Sequence, residues 1–252
     1  MPDAHPADRI DDLSKEDLLK LIPDFMHRIL VHYALWFTEV RHQMGMPQAL
    51  AMLDSAFKKS LAIQMKRLGE TLGFKVVDGL PAVLAGLDKT ALLDLIDAMA
   101  KNWLANDGIW FQAVEFSRGM NDAKRCNDSC WAHFSPFEAW NIKRLLGLGE
   151  MPGLTGLARA LNFRVYARLN TQSTFFEDDH TLVFRMNVCR VQAARASKGL
   201  ADYPCKSAGL VEYAYFARGI DSRIATECIG CPPDAHPADW FCAWRFKITN
   251  PA

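Results

Sequence analysis

The chain lacks an excess of charge of either sign, with 29 Lys and Arg against 29 Asp and Glu. Nucleic-acid and membrane-surface binders draw on a basic excess, so neither role is expected. Long apolar runs are missing too. The best, Ile29 to Phe37, is interrupted by His32 and falls well short of the ~20 residues a bilayer-crossing helix needs. The opening MPDAHPADRIDD is acidic and has no apolar core, unlike a secretory signal, so a cytoplasmic location is expected. Thiols stay reduced in that compartment. Against these absences stand seven cysteines in 252 residues of ordinary globular composition. In a reducing setting they are expected to be ligands, reactive groups or core residues rather than disulfides.

The N-terminal part repeats itself at an offset of 74 residues. Leu13, Lys15, Leu18, Leu19 and Ile22 recur as Leu87, Lys89, Leu92, Leu93 and Ile96, and Trp36-Phe37 recurs as Trp110-Phe111. Gly45-Met46 returns as Gly119-Met120 and Asp54-Ser55 as Asp128-Ser129; after a slip of three, Lys66-Arg67-Leu68 matches Lys143-Arg144-Leu145. Leu18, Ile22, Phe25 and Ile29 keep helical spacing after a capping Ser14, and Pro23 is expected to kink or break that helix. Each copy reads as a long helix, a turn at Gly-Met and a second helix. Two copies suit a compact pair better than a solenoid. Cys126 and Cys130 correspond to Met52 and Ala56 in the first copy, so both read as buried small residues. Trp36 and Trp110 read as packing residues. A second repetition, PDAHPAD, stands at Pro2–Asp8 and again at Pro233–Asp239.

From about Asn162 the helical period stops. Phe163–Leu169 and Leu182–Val188 alternate and read as strands, with a turn at Asp178-Asp179 between them. Cys205–Gly219 reads as a helix after Pro204, and Ser222–Glu227 and Trp240–Ile248 as two further strands. The expected fold is α+β with a mainly antiparallel sheet. Its expected divisions are a mobile terminus (1–11), helical copies at 12–86 and 87–161, and a cysteine-rich α+β domain at 162–252.

Five cysteines fall in this last stretch: Cys189, Cys205, Cys228, Cys231 and Cys242. Cys228 and Cys231, separated by Ile229-Gly230, can turn two thiolates toward one ion. Cys205 at a helix start and Cys242 inside a strand can complete a closed set of four, and the helix N-terminus favours the Cys205 thiolate. His236, just after the cysteine pair, can also approach such an ion. Four thiolates serve zinc and an iron–sulfur cluster alike, but ligands spread from Cys205 to Cys242 lack the dense run of a ferredoxin, which favours zinc.

The stretch from Cys189 to Ile248, with its strings CIGCPPD and WFCAW, resembles an uncharacterised cytosolic family of bacteria and archaea. That family is in turn similar to the 4-vinyl reductase-type small-molecule-binding domain and to the 2-aminothiazoline-4-carboxylate hydrolase family. The close resemblance covers Asp88 to Ile248, and the first helical copy is then an added duplication of the family's own helical part. The 4-vinyl reductase resemblance implies a zinc ion on Cys205, Cys228, Cys231 and Cys242 beside a ligand pocket. The hydrolase resemblance implies a thiol nucleophile acting on a small nitrogen- or sulfur-containing ring, with Cys189 as the candidate. Glu212 and Tyr213 can orient a substrate from the helix. The leading expectation is a cytosolic protein with zinc on four cysteines that binds an unidentified small molecule. The alternatives are a thiol-dependent hydrolase and an iron–sulfur redox protein. Dimerisation is an expectation from the family alone.

Overall fold

The computed structural model describes residues 7–197, 199 and 202–248. The first PDAHPAD string therefore lies outside the described residues, apart from Ala7 and Asp8. The fold is α+β, with seven α-helices and two small antiparallel sheets among the described residues. No described helix is long and apolar enough to cross a membrane. The chain divides into two compact units, Met1–Ala85 and Gly86–Ala252.

The first unit is built on helix α1 (Lys15–Met44) and helix α2 (Met46–Leu72), followed by two-residue strands β1 (Val76–Val77) and β2 (Leu80–Pro81). The second unit begins with helix α3 (Lys89–Arg118) and helix α4 (Met120–Leu145). The sequence repeat is written into local geometry. Ser14 and Asp88 each cap their helix by accepting from the backbone N–H three residues on, at 3.1 and 2.8 Å. Both 30-residue helices then end at a glycine of positive φ, Gly45 at 83° and Gly119 at 92°. An L side chain is strained there, so the matched glycines fix where each long helix stops. Pro23 does not break α1, which runs through it unbroken. Its fixed φ is itself helical, and the cost is one lost hydrogen bond.

The rest of the second unit carries helix α5 (Gly153–Leu161), strand β3 (Thr171–Asp178), strand β4 (Thr181–Val188), helix α6 (Arg190–Ala196), helix α7 (Lys206–Ile220), strand β5 (Ile224–Gly230) and strand β6 (Cys242–Ile248). The sheet order is β3-β4-β6-β5, antiparallel throughout. The turn that joins β3 to β4 falls at Asp179-His180, one residue later than expected, because Asp178 still pairs with Thr181 as the end of β3. Helix α7 lies on the sheet with its Gly209 against the Trp244 indole, and Tyr213 stacks on that ring at 4.8 Å. Helix α4 packs on α7, where Gly219 approaches Ala139. Phe184, Trp244, Phe246, Phe216 and Leu157 form the fully buried centre. The second helical copy and the sheet thus share one core.

Three expectations are corrected. Phe163–Leu169 is not a strand but turns and a short 3-10 helix at Ala167–Leu169. Arg164 is drawn inside by carboxylates and the Val165 N–H donates to Glu138 Oε1 at 2.7 Å, so this backbone bonds to a side chain instead of a neighbouring strand. The strand comes after it, at Thr171. Cys126 and Cys130 are exposed, not buried. Trp36 and Trp110 are 63% and 67% exposed, so neither is packed in a core.

Candidate functional site

The second unit carries a half-open cavity of about 420 Å³. Four of its wall residues are cysteines: Cys189, Cys205, Cys231 and Cys242. Each arrives from a different element. Cys189 immediately precedes α6, Cys205 immediately precedes α7, Cys231 follows β5, and Cys242 opens β6. The α7 start and the knuckle after β5 are tied directly. The Lys206 N–H donates to the Pro232 carbonyl at 2.9 Å, and Lys206 Nζ pairs with Asp234 at 2.7 Å. This brings the Cys231 and Cys205 sulfurs to 3.7 Å, with Cys231 donating.

The environment divides the thiols electrically. Cys205 is held below the ordinary thiol range, first by the Cys231 hydrogen bond and, against the cost of burial, by Gln192 Nε2 donating at 3.4 Å. Cys231 is driven upward first because it donates its proton to Cys205, then by its contact with Cys242 and by burial. Burial also raises Cys228, which sits on β5 opposite Trp244 and beside a register shift, outside the cavity lining. Cys189 is pushed up to about 11 by burial, so at neutral pH it is a thiol, the weaker nucleophile. Sequence reasoning placed Cys205, Cys228, Cys231 and Cys242 in one set and Cys189 apart. The structure puts Cys189 in the cavity wall with three of them. Among the described residues, no group of three or more His, Cys, Asp or Glu stands so as to hold a metal ion. His236 is engaged elsewhere, its ring nitrogens meeting the Pro237 carbonyl at 2.9 Å and Asp202 at 3.1 Å.

Sequence reasoning missed the most unusual chemistry beside this wall, a buried network of which Tyr166 and Glu212 reach the cavity. Arg164, 3% exposed, donates to Glu138 at 2.9 Å, pairs with Glu212 at 2.7 Å and bonds the Tyr166 hydroxyl. Tyr166 donates in turn to Glu212. Burial opposes the Arg164 charge, but the surrounding Tyr166, Glu138 and Glu212 outweigh it and hold the guanidinium ionised. Burial raises the Glu212 carboxyl, with Arg164 pulling the other way. Glu212 and Tyr213 do line the cavity as expected, but Glu212 is committed to this network. Gln192, 1% exposed, is a second hidden device. It accepts from the Tyr203 N–H at 2.8 Å and donates to the Tyr203 carbonyl at 2.9 Å, fixing the loop before Cys205. No sequence pattern marked Arg164 or Gln192. The α3 wall was readable as a stripe: Trp103, Asp107, Phe111 and Glu115 recur every four residues.

No curated protein and no solved structure matches the chain, and nothing found brings in the 4-vinyl reductase type or the hydrolase. One family matches twice, over residues 11–90 and over 85–248, the first stretch taking in α1 and α2 and the second running from α3 to β6. The chain belongs to this family, DUF6125, a family of unknown function.

Proposed function

We propose that the second unit is a small-molecule-binding domain with a zinc ion held by Cys205, Cys228, Cys231 and Cys242, in a protein of the cytoplasm. The observation that carries this reading is the 3.7 Å separation of the Cys205 and Cys231 sulfurs at the wall of a half-open cavity. Zinc–sulfur bonds of ~2.3 Å in a tetrahedron place sulfurs ~3.8 Å apart, so this pair already has the edge such an ion needs. The lowered Cys205 and its helix N-terminus suit a thiolate ligand. The reading requires Cys228 and Cys242 to join that pair. When bound, zinc would act as a structural clamp on α7, the knuckle and β6; with four thiolate ligands it would offer no open position to a ligand in the cavity. The 4-vinyl reductase-like cysteine spacing points the same way.

Elemental analysis of the purified chain tests it, with one zinc per chain expected and a melting temperature that falls on Cys231→Ser. A metal-free protein whose melting point ignores that substitution overturns the reading. A brown, iron-containing anaerobic sample would instead establish the iron–sulfur alternative.

Cys189 in the same cavity wall favours the second reading, a thiol-dependent hydrolase of a small nitrogen- or sulfur-containing ring. Because burial holds Cys189 as a thiol, that chemistry needs a substrate or base that takes its proton. Iodoacetamide labelling at pH 7.5 with peptide mapping tests it: reaction of other thiols while Cys189 stays unlabelled counts against a nucleophile there. A homodimer belongs to the proposal as well, supported by the apolar side chains that α1 leaves exposed, among them Leu19, Leu30 and Trp36.

A further inference from the structure

One face of α3 forms a wall of the cavity, with Trp103, Asp107, Gly108 and Phe111 presented at helical spacing. The Asp107 carboxyl is partly buried and has no hydrogen bond or ion pair among the described residues. The nearby cation, Lys124, acts on Asp107 through space, but its ion pair is with Asp128 at 3.1 Å and it lies over the Tyr203 ring at 4.8 Å. Glu212 has its own counter-charge in Arg164. Glu115, two turns beyond Asp107, lines the cavity too, while the cationic side chains of the wall, Arg190 and Arg195, both stand on α6. Gly108 has no packing reason to be glycine, since a Cβ built there meets nothing within 4 Å. Glycine weakens a helix interior, so open space is kept on the wall at a cost to the helix.

We infer that the cavity takes a small organic amine with a flat apolar body, its ammonium paired with Asp107. The inference rests on the small-molecule reading above and names the class of ligand. A carboxylate facing an aromatic-lined cavity without a partner is costly to desolvate, and a bound cation removes that cost. The faces of Trp103 and Phe111 attract the same charge. A neutral ligand of equal size leaves Asp107 unpaired, and an anionic one is repelled by it.

Isothermal titration of the full-length chain at pH 7 with benzylamine, benzyl alcohol and benzoate tests this. Benzylamine is expected to bind at least tenfold more tightly than benzyl alcohol, and benzoate more weakly than either. Asp107→Asn should abolish the amine preference while leaving benzyl alcohol within twofold. Gly108→Leu, which fills open space, should weaken amine and alcohol alike by at least tenfold without lowering the melting temperature. Equal binding of amine and alcohol to the unaltered chain, or an amine preference that survives Asp107→Asn, overturns the cation assignment and leaves small-molecule binding standing. If none of the three binds, both readings fall. The comparison on the unaltered chain decides by itself should a variant fold poorly.

Discussion

Arg164 sits where a charged side chain is rarely found, ringed by Glu138, Glu212 and Tyr166 and flanked by the Phe216 ring at 4.6 Å. Replacing both carboxylates and the cation by apolar groups can be neutral, but removing the cation alone strands two buried acids. Arg164→Met is therefore expected to lose ~3–5 kcal/mol of stability, read by urea unfolding, and more than Glu138→Gln loses. Asp221 is a second residue whose charge is built into the fold. It accepts from Arg223 Nε at 3.0 Å and from the Gly153 N–H at 3.0 Å, joining the end of α7 to the start of α5. The Arg223 side chain, opposed by burial, lowers its carboxyl to about 2 from 3.8. A depressed carboxyl contributes its stability above the unfolded value and loses it as pH falls through the folded one. On the order of 2 kcal/mol should therefore disappear between about pH 4 and pH 2, and Asp221→Asn should flatten that part of an acid-unfolding profile.

At the scale of elements, the cavity exists because α7 is held between the sheet and α4. Glycines make both approaches possible. A Cβ on Gly209 would lie 2.4 Å from the Trp244 ring, and one on Gly219 would lie 2.6 Å from the Ala139 Cβ. Gly→Ala in a helix ordinarily gains up to ~1 kcal/mol. Here each substitution is expected to lose ~1–3 kcal/mol instead, because ring and helix must shift to admit the methyl group. Gly209→Ala should also disturb ligand binding, since Gly209 borders the cavity, whereas Gly219→Ala should not. Thermal unfolding and probe titration on the two variants separate these effects. The tether between α7 and the knuckle works similarly. Lys206 joins both Pro232 and Asp234, so it positions Cys231 against Cys205 without touching either sulfur.

On the scale of the whole molecule, the two units differ in how they bury apolar surface. The large cluster of buried apolar residues runs from Trp131 onward, within the second unit, with Trp103 packed against it. The first unit buries only Ala49, Leu50 and Gly69 along its two long helices, and leaves Leu30 69% and Trp36 63% exposed. Exposed surface of that kind marks an interaction face. Light scattering on the 28.3 kDa chain is expected to give a dimer mass, and Leu30→Glu with Trp36→Glu to return it to monomer. A monomer before substitution removes the dimer proposal. One family matches both copies of the repeat, so the first helical copy lies inside that family and not outside the resemblance, while the four-stranded sheet falls in the second match alone.

What the sequence determined alone is whatever depends on near neighbours. The caps at Ser14 and Asp88, the glycine stops at Gly45 and Gly119, the strand from Leu182 to Val188, the helix starting after Cys205 and the α+β class all follow from local spacing and backbone preference. Phe163–Leu169 shows the limit. Its alternation was real, yet a buried charge pair formed with residues 26 and 48 positions away outweighed it. Only tertiary structure decided which cysteines share a cavity, because Cys189, Cys205, Cys231 and Cys242 meet through packing of α7 on the sheet and not through spacing. Burial, which no local pattern measures, then set their charge: Cys205 toward thiolate, Cys189 held as a thiol. The unpaired state of Asp107 is likewise a property of what surrounds it in space.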